Sequence, residues 1–181
     1  VLSLQPDMGS LTLGSLNFTR QASINAPDTI HILLAEMNKY GVRPELECFD
    51  TGMINYGRYL IAKGLLEPPY YFNLIFGNIS TAQADAIVAG LAVKELPEGA
   101  YWAMGGIGSD QLKMNALAIA LGGGVRVGIE DNIWYDEART IPATNIGLIR
   151  RIHQLAEIHG RKVMQPKAFG DLGFYNPNRF H

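Results

Sequence analysis

Short apolar runs alternate along the chain with longer stretches of helical periodicity. Five runs read as strands: VLSLQ (1–5), PELECFD (44–50), YYFNLIFG (70–77), YWAMGGIG (101–108) and VRVGIED (125–131). The last four start roughly 25–30 residues apart, the length of a strand–helix–strand unit. Between them the apolar period lengthens to that of a helix. Pro27 suits the first turn of a helix that ends near Gly41. A second helix is expected over residues 53–64. A third opens at STAQ (80–83), where Ser80 and Gln83 have capping-box spacing. A fourth runs from Ser109, as N-cap, to the glycines at 122–124. A fifth covers residues 144–159 and stops at Gly160; Ile146, Ile149, Ile152, Leu155 and Ala156 are spaced for one buried face. A short last helix is expected over residues 166–172. The loop 6–26 is long for a strand–helix connection, and loops of that kind often carry function.

Alternating strand and helix argues for parallel α/β, either a doubly wound sheet or a (β/α) barrel. Polar residues pointing away from the helices favour the barrel. Side chains alternate along a strand, so Val125, Val127 and Ile129 share a face suited to packing on helices, while Arg126, Gly128 and Glu130 share the other. Gly128 leaves space for Arg126 to rise toward Glu130. Asp131 follows at the strand's C-terminal end, the rim where barrel active sites lie. In 44–50, Leu46 and Cys48 share one face, and Glu45, Glu47 and Phe49 the other; in 70–77, Asn73 lies opposite Phe72, Leu74 and Phe76. So many inward polar groups are costly unless they pair or bind something. Two readings stand side by side: an internal Arg126–Glu47 ion pair that sets register, or a catalytic cluster.

Composition bounds the partners. The chain has 181 residues, 48 % hydrophobic and 18 % charged, with a net charge of −2. That is one domain's worth of core. The charge gives no electrostatic case for nucleic acid or an anionic membrane. No apolar run is long enough to span a bilayer, and the N-terminus lacks the basic start of a signal peptide. One cysteine, Cys48, excludes an intrachain disulfide, suits the cytoplasm, and reads as a small core residue.

Other candidates are weaker. Gly105, Gly106 and Gly108 precede a helix, where backbone amides can cradle an anion; a tight turn is the plainer reading. GSLTLGSLNF (9–18) offers Ser10, Thr12, Ser15 and Asn17 to line a pocket. His31, His153, His159 and His181 form no His-x-His or His-x-x-x-His pair and read as surface or helix-end residues. Trp134 and Tyr135 read as aromatic packing, with a lid as the alternative.

The segments GIGSDQLKMNALAIALGGGVRVGIEDN (106–132), LQPDMGSLTLGSLNF (4–18) and PELECFDTGMI (44–54) resemble the β-keto acid cleavage enzymes, the group typified by 3-keto-5-aminohexanoate cleavage enzyme. The similarity extends over nearly the whole chain. It implies a (β/α)8 TIM barrel, with residues 1–181 as the C-terminal part of a single domain, about the fourth to eighth strand–helix units. It implies a β-keto acid and acetyl-CoA as substrates, acetoacetate and a new CoA thioester as products, and one Zn2+. Carried onto this sequence, the metal ligand is Glu130, and the dyad that supplies the general base is Arg126 with Asp131. A site glutamate is Glu47, with Glu45 as the other option. A threonine or serine of the SLTLGS loop contacts substrate or cofactor, Thr12 being the first choice and Ser10 the next; Gly106 and Gly108 are substrate or cofactor candidates on the anion-cradle reading above. The family's other metal ligands, two histidines of a His-x-His motif, have no counterpart here. The resemblance therefore implies a further N-terminal segment or a partner chain, and a homo-oligomer. Gly124 and Ser109 depart from the family's usual histidine and arginine, which bears on the acyl-CoA partner. Two other readings remain: a non-catalytic barrel half or ligand-binding module, and another metal-dependent, aldolase-like barrel enzyme.

Overall fold

The computed structural model describes residues 1–179. Its centre is a sheet of five parallel strands in the order β1 (Met8–Thr12), β4 (Arg43–Cys48), β5 (Tyr71–Phe76), β6 (Tyr101–Gly106) and β7 (Gly124–Val125). A small antiparallel hairpin, β2 (Leu16–Asn17) with β3 (Ala22–Ser23), follows β1. Helices α1 (Pro27–Tyr40), α2 (Thr51–Ala62), α3 (Ala86–Glu95) and α4 (Gln111–Ala120) connect successive sheet strands; α5 (Asn145–Ile158) and α6 (Pro166–Phe169) come after them. Spatial order equals chain order, with no reversal of the kind that defines a doubly wound sheet. Sequential winding is the topology of a (β/α) barrel wall.

One face of the sheet is dry. Leu11, Leu46 and Phe72 stand side by side in register, and with Leu74 and Met104 they are buried against Ile30, Leu34 and Met37 of α1 and Ile54 and Leu60 of α2. Each such side chain contributes about 1.5–3 kcal/mol when fully buried. Helix ends follow local chemistry. Asp50 caps α2 by accepting from the Met53 amide, and Thr144 caps α5 through the Gly147 amide. Pro27 opens α1, and Gly41 ends it at φ 72°, where a side chain would also meet Asn176.

Several expectations need correction. Residues 1–5 are not a strand: Leu2–Leu4 form a single 3-10 turn with Leu4 81 % exposed. The first strand lies at Met8–Thr12, beyond Pro6, because pairing with Arg43–Glu47 sets Ser10 and Thr12 opposite Glu45 and Glu47. The expected loop 6–26 therefore holds a strand and a hairpin. The third helix starts at Ala86, capped by Asp85, whose carboxylate accepts from the Ile87 and Val88 amides. Ser80 instead donates to the carbonyl of Asn17, so a tertiary contact outcompetes the local cap. Ser109 does not cap α4; it lies in a 3-10 turn, Gly108–Asp110. In α5 the buried stripe is Leu148, Ile152 and Ala156, while Ile146 and Ile149 are exposed. The stripe turns because α5 packs on Ile119, Val125 and Val127. The last strand stops at Val125 rather than Asp131; after the Arg126 amide bonds to the Met104 carbonyl, the chain turns, and the Asp131 and Asn132 amides bond back to the Gly128 carbonyl. Among the described residues no helix is long and apolar enough to cross a membrane.

Candidate functional site

The face of the sheet turned away from the helices is polar, and register assembles it. Thr12, Glu47, Asn73 and Ala103 lie at one level across four strands; Ser10, Glu45, Tyr71 and Tyr101 lie at the level below. The Thr12 hydroxyl donates to Glu47 Oε2 at 2.7 Å, and the Ser10 hydroxyl to Glu45 Oε2 at 3.0 Å. Asn73 Nδ2 donates diagonally to Glu45 Oε1 at 2.6 Å.

Arg126 holds the centre. Its Nε donates to Asp131 Oδ2 at 2.9 Å and one terminal nitrogen to Asp131 Oδ1 at 3.2 Å, a bidentate fork. The same nitrogen reaches Glu130 Oε2 at 3.2 Å, and the other reaches Glu47 Oε1 at 3.3 Å. The anticipated Arg126–Glu47 ion pair therefore exists, and it is one contact of a larger cluster. The space for Arg126 comes from Gly105 rather than Gly128: a Cβ on Gly105 would lie 3.0 Å from the Arg126 Cβ, whereas one on Gly128 would approach only Asn145.

Three carboxylates, Glu47, Glu130 and Asp131, share one guanidinium, and Glu45 is held beside them by Ser10 and Asn73. Burial pushes the Glu47 carboxyl above its ordinary range, with the Thr12 hydrogen bond and the Arg126 charge opposing it. For Arg126, burial works against the charge, but the bond to Asp131 and the charges of Asp131, Glu47 and Glu130 outweigh it and raise its pKa. Burial, with help from Glu45, pushes the Tyr71 phenol up to about 12. Burial likewise raises the Cys48 thiol, with Asp50 and Glu47 adding to it, in keeping with an inert core residue.

Beside this cluster is an open cavity of about 330 Å³, lined by Glu45, Asn73, Arg126, Glu130 and Asp131 among others. The side chains of Asp131, Glu47 and Arg126 are 9 %, 15 % and 21 % exposed, that of Glu130 83 %. Arg126 and Asp131 are thus sheltered, and Glu130 is largely exposed while still reaching Arg126. A larger cavity of about 510 Å³ is mainly apolar, with Trp102, Ile119, Ile149 and Ile152 in its wall and no carboxylate. Its ionisable lining residues, among them His153, Arg161 and Lys162, face no acidic partner within it.

Sequence reasoning brings Ser10, Thr12, Glu45, Glu47, Arg126, Glu130 and Asp131 to one place, and the structure does the same. Gly106 and Gly108 serve the backbone. Gly106 lies against Asp110, where a Cβ would come within 2.6 Å of the carbonyl oxygen, and the Gly108 amide donates to the Asp131 carbonyl at 2.7 Å. That amide is therefore not free to cradle an anion. His31 contacts Tyr56, and His159 lies at the end of α5; His181 is outside the described residues. Tyr135 stacks under Arg151 rather than over the cluster. The role of Gly105 went unforeseen, and so did the burial and bonding of Gln111 and Asn115 of α4, which the sequence marks only as the QL…N helix of the resemblance. Their signal was two polar residues four apart on an apolar helix.

A divalent cation meets a partial fit. Glu130 presents a carboxylate in a net-negative surround, which suits one oxygen ligand. Among the described residues no three His, Cys, Asp or Glu side chains converge to hold a metal. The described residues can offer a cation the Glu130 carboxylate and do not by themselves complete a coordination sphere.

The family model described as beta-keto acid cleavage enzyme matches residues 1–171. The chain is 35 % identical over 164 residues to the 3-keto-5-aminohexanoate cleavage enzyme of Fusobacterium nucleatum, covering 90 % of this chain and 59 % of that protein. It is 36 % identical over 166 residues to the 3-oxoadipate:acetyl-CoA acetyltransferase of Cupriavidus necator, covering 90 % and 58 %. With the 3-dehydrocarnitine:acetyl-CoA trimethylamine transferase of Rhizobium meliloti it shares 30 % over 164 residues, covering 90 % and 54 %. The chain thus spans less than two thirds of the length of these relatives. Its fold matches the apo structure of ObcA with a TM-score of 0.73 at 18 % identity, over 94 % of this chain and 44 % of that one.

Proposed function

The chain belongs to the β-keto acid cleavage enzyme family, and we propose on that premise that the protein exchanges acyl groups between a β-keto acid and acetyl-CoA. The bond between the keto carbon and the adjacent CH2 breaks. The released CH2–carboxylate fragment joins the acetyl group to give acetoacetate, and the remaining acyl group joins the CoA sulfur as a new thioester. Atoms balance without oxidant or water. Two relatives whose names include acetyl-CoA support this reading.

The observation that carries it is the Arg126 fork, which aims a sheltered Asp131 carboxylate into a cavity at the C-terminal end of the strands. Asp131 accepts and returns the proton. Each of its oxygens keeps a lone pair beyond the one Arg126 occupies, so the fork orients the base without blocking it. Glu47, raised by burial and tied to the same guanidinium, is a second acid–base group. Ser10 and Thr12 stand beside it to meet substrate. Gly106 and Gly108 hold the rim on which Asp131 sits. Glu130 would hold the divalent metal, taken to be Zn2+, whose chemistry when bound is to draw electron density from the keto oxygen and stabilise the enolate. The buried Cys48 suits a reducing cytoplasm. Completion of the barrel by a further segment or chain, and a homo-oligomeric assembly, belong to the same proposal and rest on the resemblance.

The test is product analysis. Complete protein is incubated with a panel of β-keto acids, with and without acetyl-CoA, and acetoacetate and CoA thioesters are measured by mass spectrometry. Acetoacetate formed only with acetyl-CoA supports the reading; cleavage that ignores acetyl-CoA points to an aldolase-like enzyme. Glu130→Gln should lower bound zinc about tenfold or more. Unchanged zinc content and rate would remove Glu130 from the metal site.

A further inference from the structure

The backbone that carries Arg126, Glu130 and Asp131 is not held by strand pairing. The ladder between β6 and β7 covers only Ala103–Gly124 and Met104–Val125, with one further bond from the Arg126 amide. Beyond that point the Arg126 carbonyl has no ladder partner, and the Gly128 carbonyl is reached only by the Asp131 and Asn132 amides of its own turn, both at 3.3 Å. Two side chains from successive turns of α4 donate to these carbonyls at shorter range. Asn115 Nδ2 donates to the Arg126 carbonyl at 2.8 Å and also reaches the Met104 carbonyl at 3.3 Å. Gln111 Nε2 donates to the Gly128 carbonyl at 2.8 Å. Spacing of four puts both amides on one face of the helix. Gln111 is 0 % and Asn115 1 % exposed. The side-chain oxygen of each is buried without a hydrogen-bond partner. An amide that leaves its own acceptor unsatisfied is poorly suited to stability alone. What each does gain is a fixed carbonyl in the segment that aims the Arg126 fork.

We infer that Gln111 and Asn115 are positioning residues for the acyl exchange, acting through the backbone of residues 126–128 to keep Arg126 locked on Asp131. The inference rests on the catalytic reading of that pair, but its geometric half does not. The pair of amides stands in for a strand ladder. A plain ladder would continue the pleat and carry Glu130 and Asp131 along an extended strand. With the ladder replaced by two side-chain donors, the chain turns at Gly128 and brings Asp131 back within 2.9 Å of the Arg126 Nε. The turn is closed from the other side by the Gly108 amide on the Asp131 carbonyl.

The test uses three variants of the complete protein. Gln111→Met and Asn115→Leu keep the volume and remove the donor; Met114→Ala weakens the same helix in its apolar core without touching residues 126–128. The first readout is independent of activity: the Arg126 Nε–H proton, identified by its loss in Arg126→Lys, is followed by NMR for exchange with solvent. The second is the split between kcat and KM for whichever β-keto acid the wild type cleaves. Exchange at Arg126 faster by about tenfold or more in Gln111→Met, and kcat lower by about tenfold with KM within a factor of two, are expected, since misplacing a catalytic group by about 1 Å costs up to 10²-fold. Met114→Ala should leave Arg126 protected even if its thermal midpoint falls as far. If Gln111→Met leaves exchange at Arg126 unchanged, or Met114→Ala accelerates it equally, the amides are ordinary packing and the inference is wrong. Should Asn115→Leu not fold, Gln111→Met decides alone. If the wild type cleaves no β-keto acid, the functional reading fails, while the exchange data still judge the positioning.

Discussion

Arg126→Lys tests whether the fork or merely the charge matters. Arg126 makes four hydrogen bonds: two to Asp131, one to Glu47 and one to Glu130. The Glu130 contact is with a side chain 83 % exposed and counts for little. A lysine ammonium keeps the positive charge and at best one of the other three bonds, because a single nitrogen cannot span both oxygens of Asp131 and reach Glu47. Two hydrogen bonds to charged groups are lost, each worth about 1.5–3 kcal/mol when well buried. Arg126 is one-fifth exposed and the retained charge recovers part, so the net loss should be about 2 kcal/mol. For a chain of this size that lowers the thermal midpoint by about 4–8 °C. Arg126→Met should cost more, about 3–5 kcal/mol, because it leaves carboxylates without a cation. Activity should fall further than stability: losing the orientation of a general base costs about 10²–10⁴-fold in rate. Calorimetry and steady-state kinetics on the same preparations measure both. Wild-type midpoint and rate in Arg126→Lys would show that charge alone suffices. Asp131→Asn combined with Arg126→Lys should be little slower than the worse single variant, since the two act as a unit.

Three other outcomes follow from the same geometry. Glu47 has its pKa raised by burial, so the folded state binds its proton more tightly than the unfolded chain does; that contribution is fully present below pH 4.5, the ordinary value, and is lost as pH rises through the folded value. Glu47→Gln should therefore gain stability relative to wild type as pH rises from about 4 to 7, read from thermal midpoints across pH, while losing activity; a constant difference would contradict the assigned shift. Asn176 is fully buried and donates to the carbonyls of Pro6 and Tyr40, so Asn176→Ala leaves two buried acceptors unpaired and should cost about 2–5 kcal/mol in denaturant titration. Gly106→Ala would place a Cβ 2.6 Å from the Asp110 carbonyl oxygen, whereas a Cβ on Gly108 meets nothing within 4 Å; thermal unfolding should show Gly106→Ala as the more damaging, by about 1–3 kcal/mol, despite the φ of +62° at Gly108.

Alternation alone determined much of this protein. The period-two pattern in PELEC and YFNLIF separates a dry face from a polar one, and burial enforces that choice because a one-residue slip would bury Glu45 and Glu47 among helices. The regular strand–helix spacing determined a parallel α/β fold, and local residues such as Pro27, Gly41 and Thr144 marked helix ends that the structure keeps. Where competition was tertiary, sequence could not decide it. Val1–Gln5 reads as a strand and residues 6–26 as a loop, yet pairing with Arg43–Glu47 places the strand at Met8–Thr12. Ser80 has a capping spacing, but the nearby hairpin takes its hydroxyl. The stripe of α5 depends on which neighbours it meets. Glu45, Glu47 and Arg126 were legible from strand alternation, because polar groups on an inward face need partners, whereas Ser10 and Thr12 were legible only through a polar loop and the family resemblance. Which partner each one takes was not, since hydrogen bonds such as Asn73 to Glu45 and Arg126 to Asp131 depend on register and on where the last strand stops. That stopping point is decided by donors from another element, Gln111 and Asn115, and by the room that Gly105 leaves, none of which lies in the strand's own sequence.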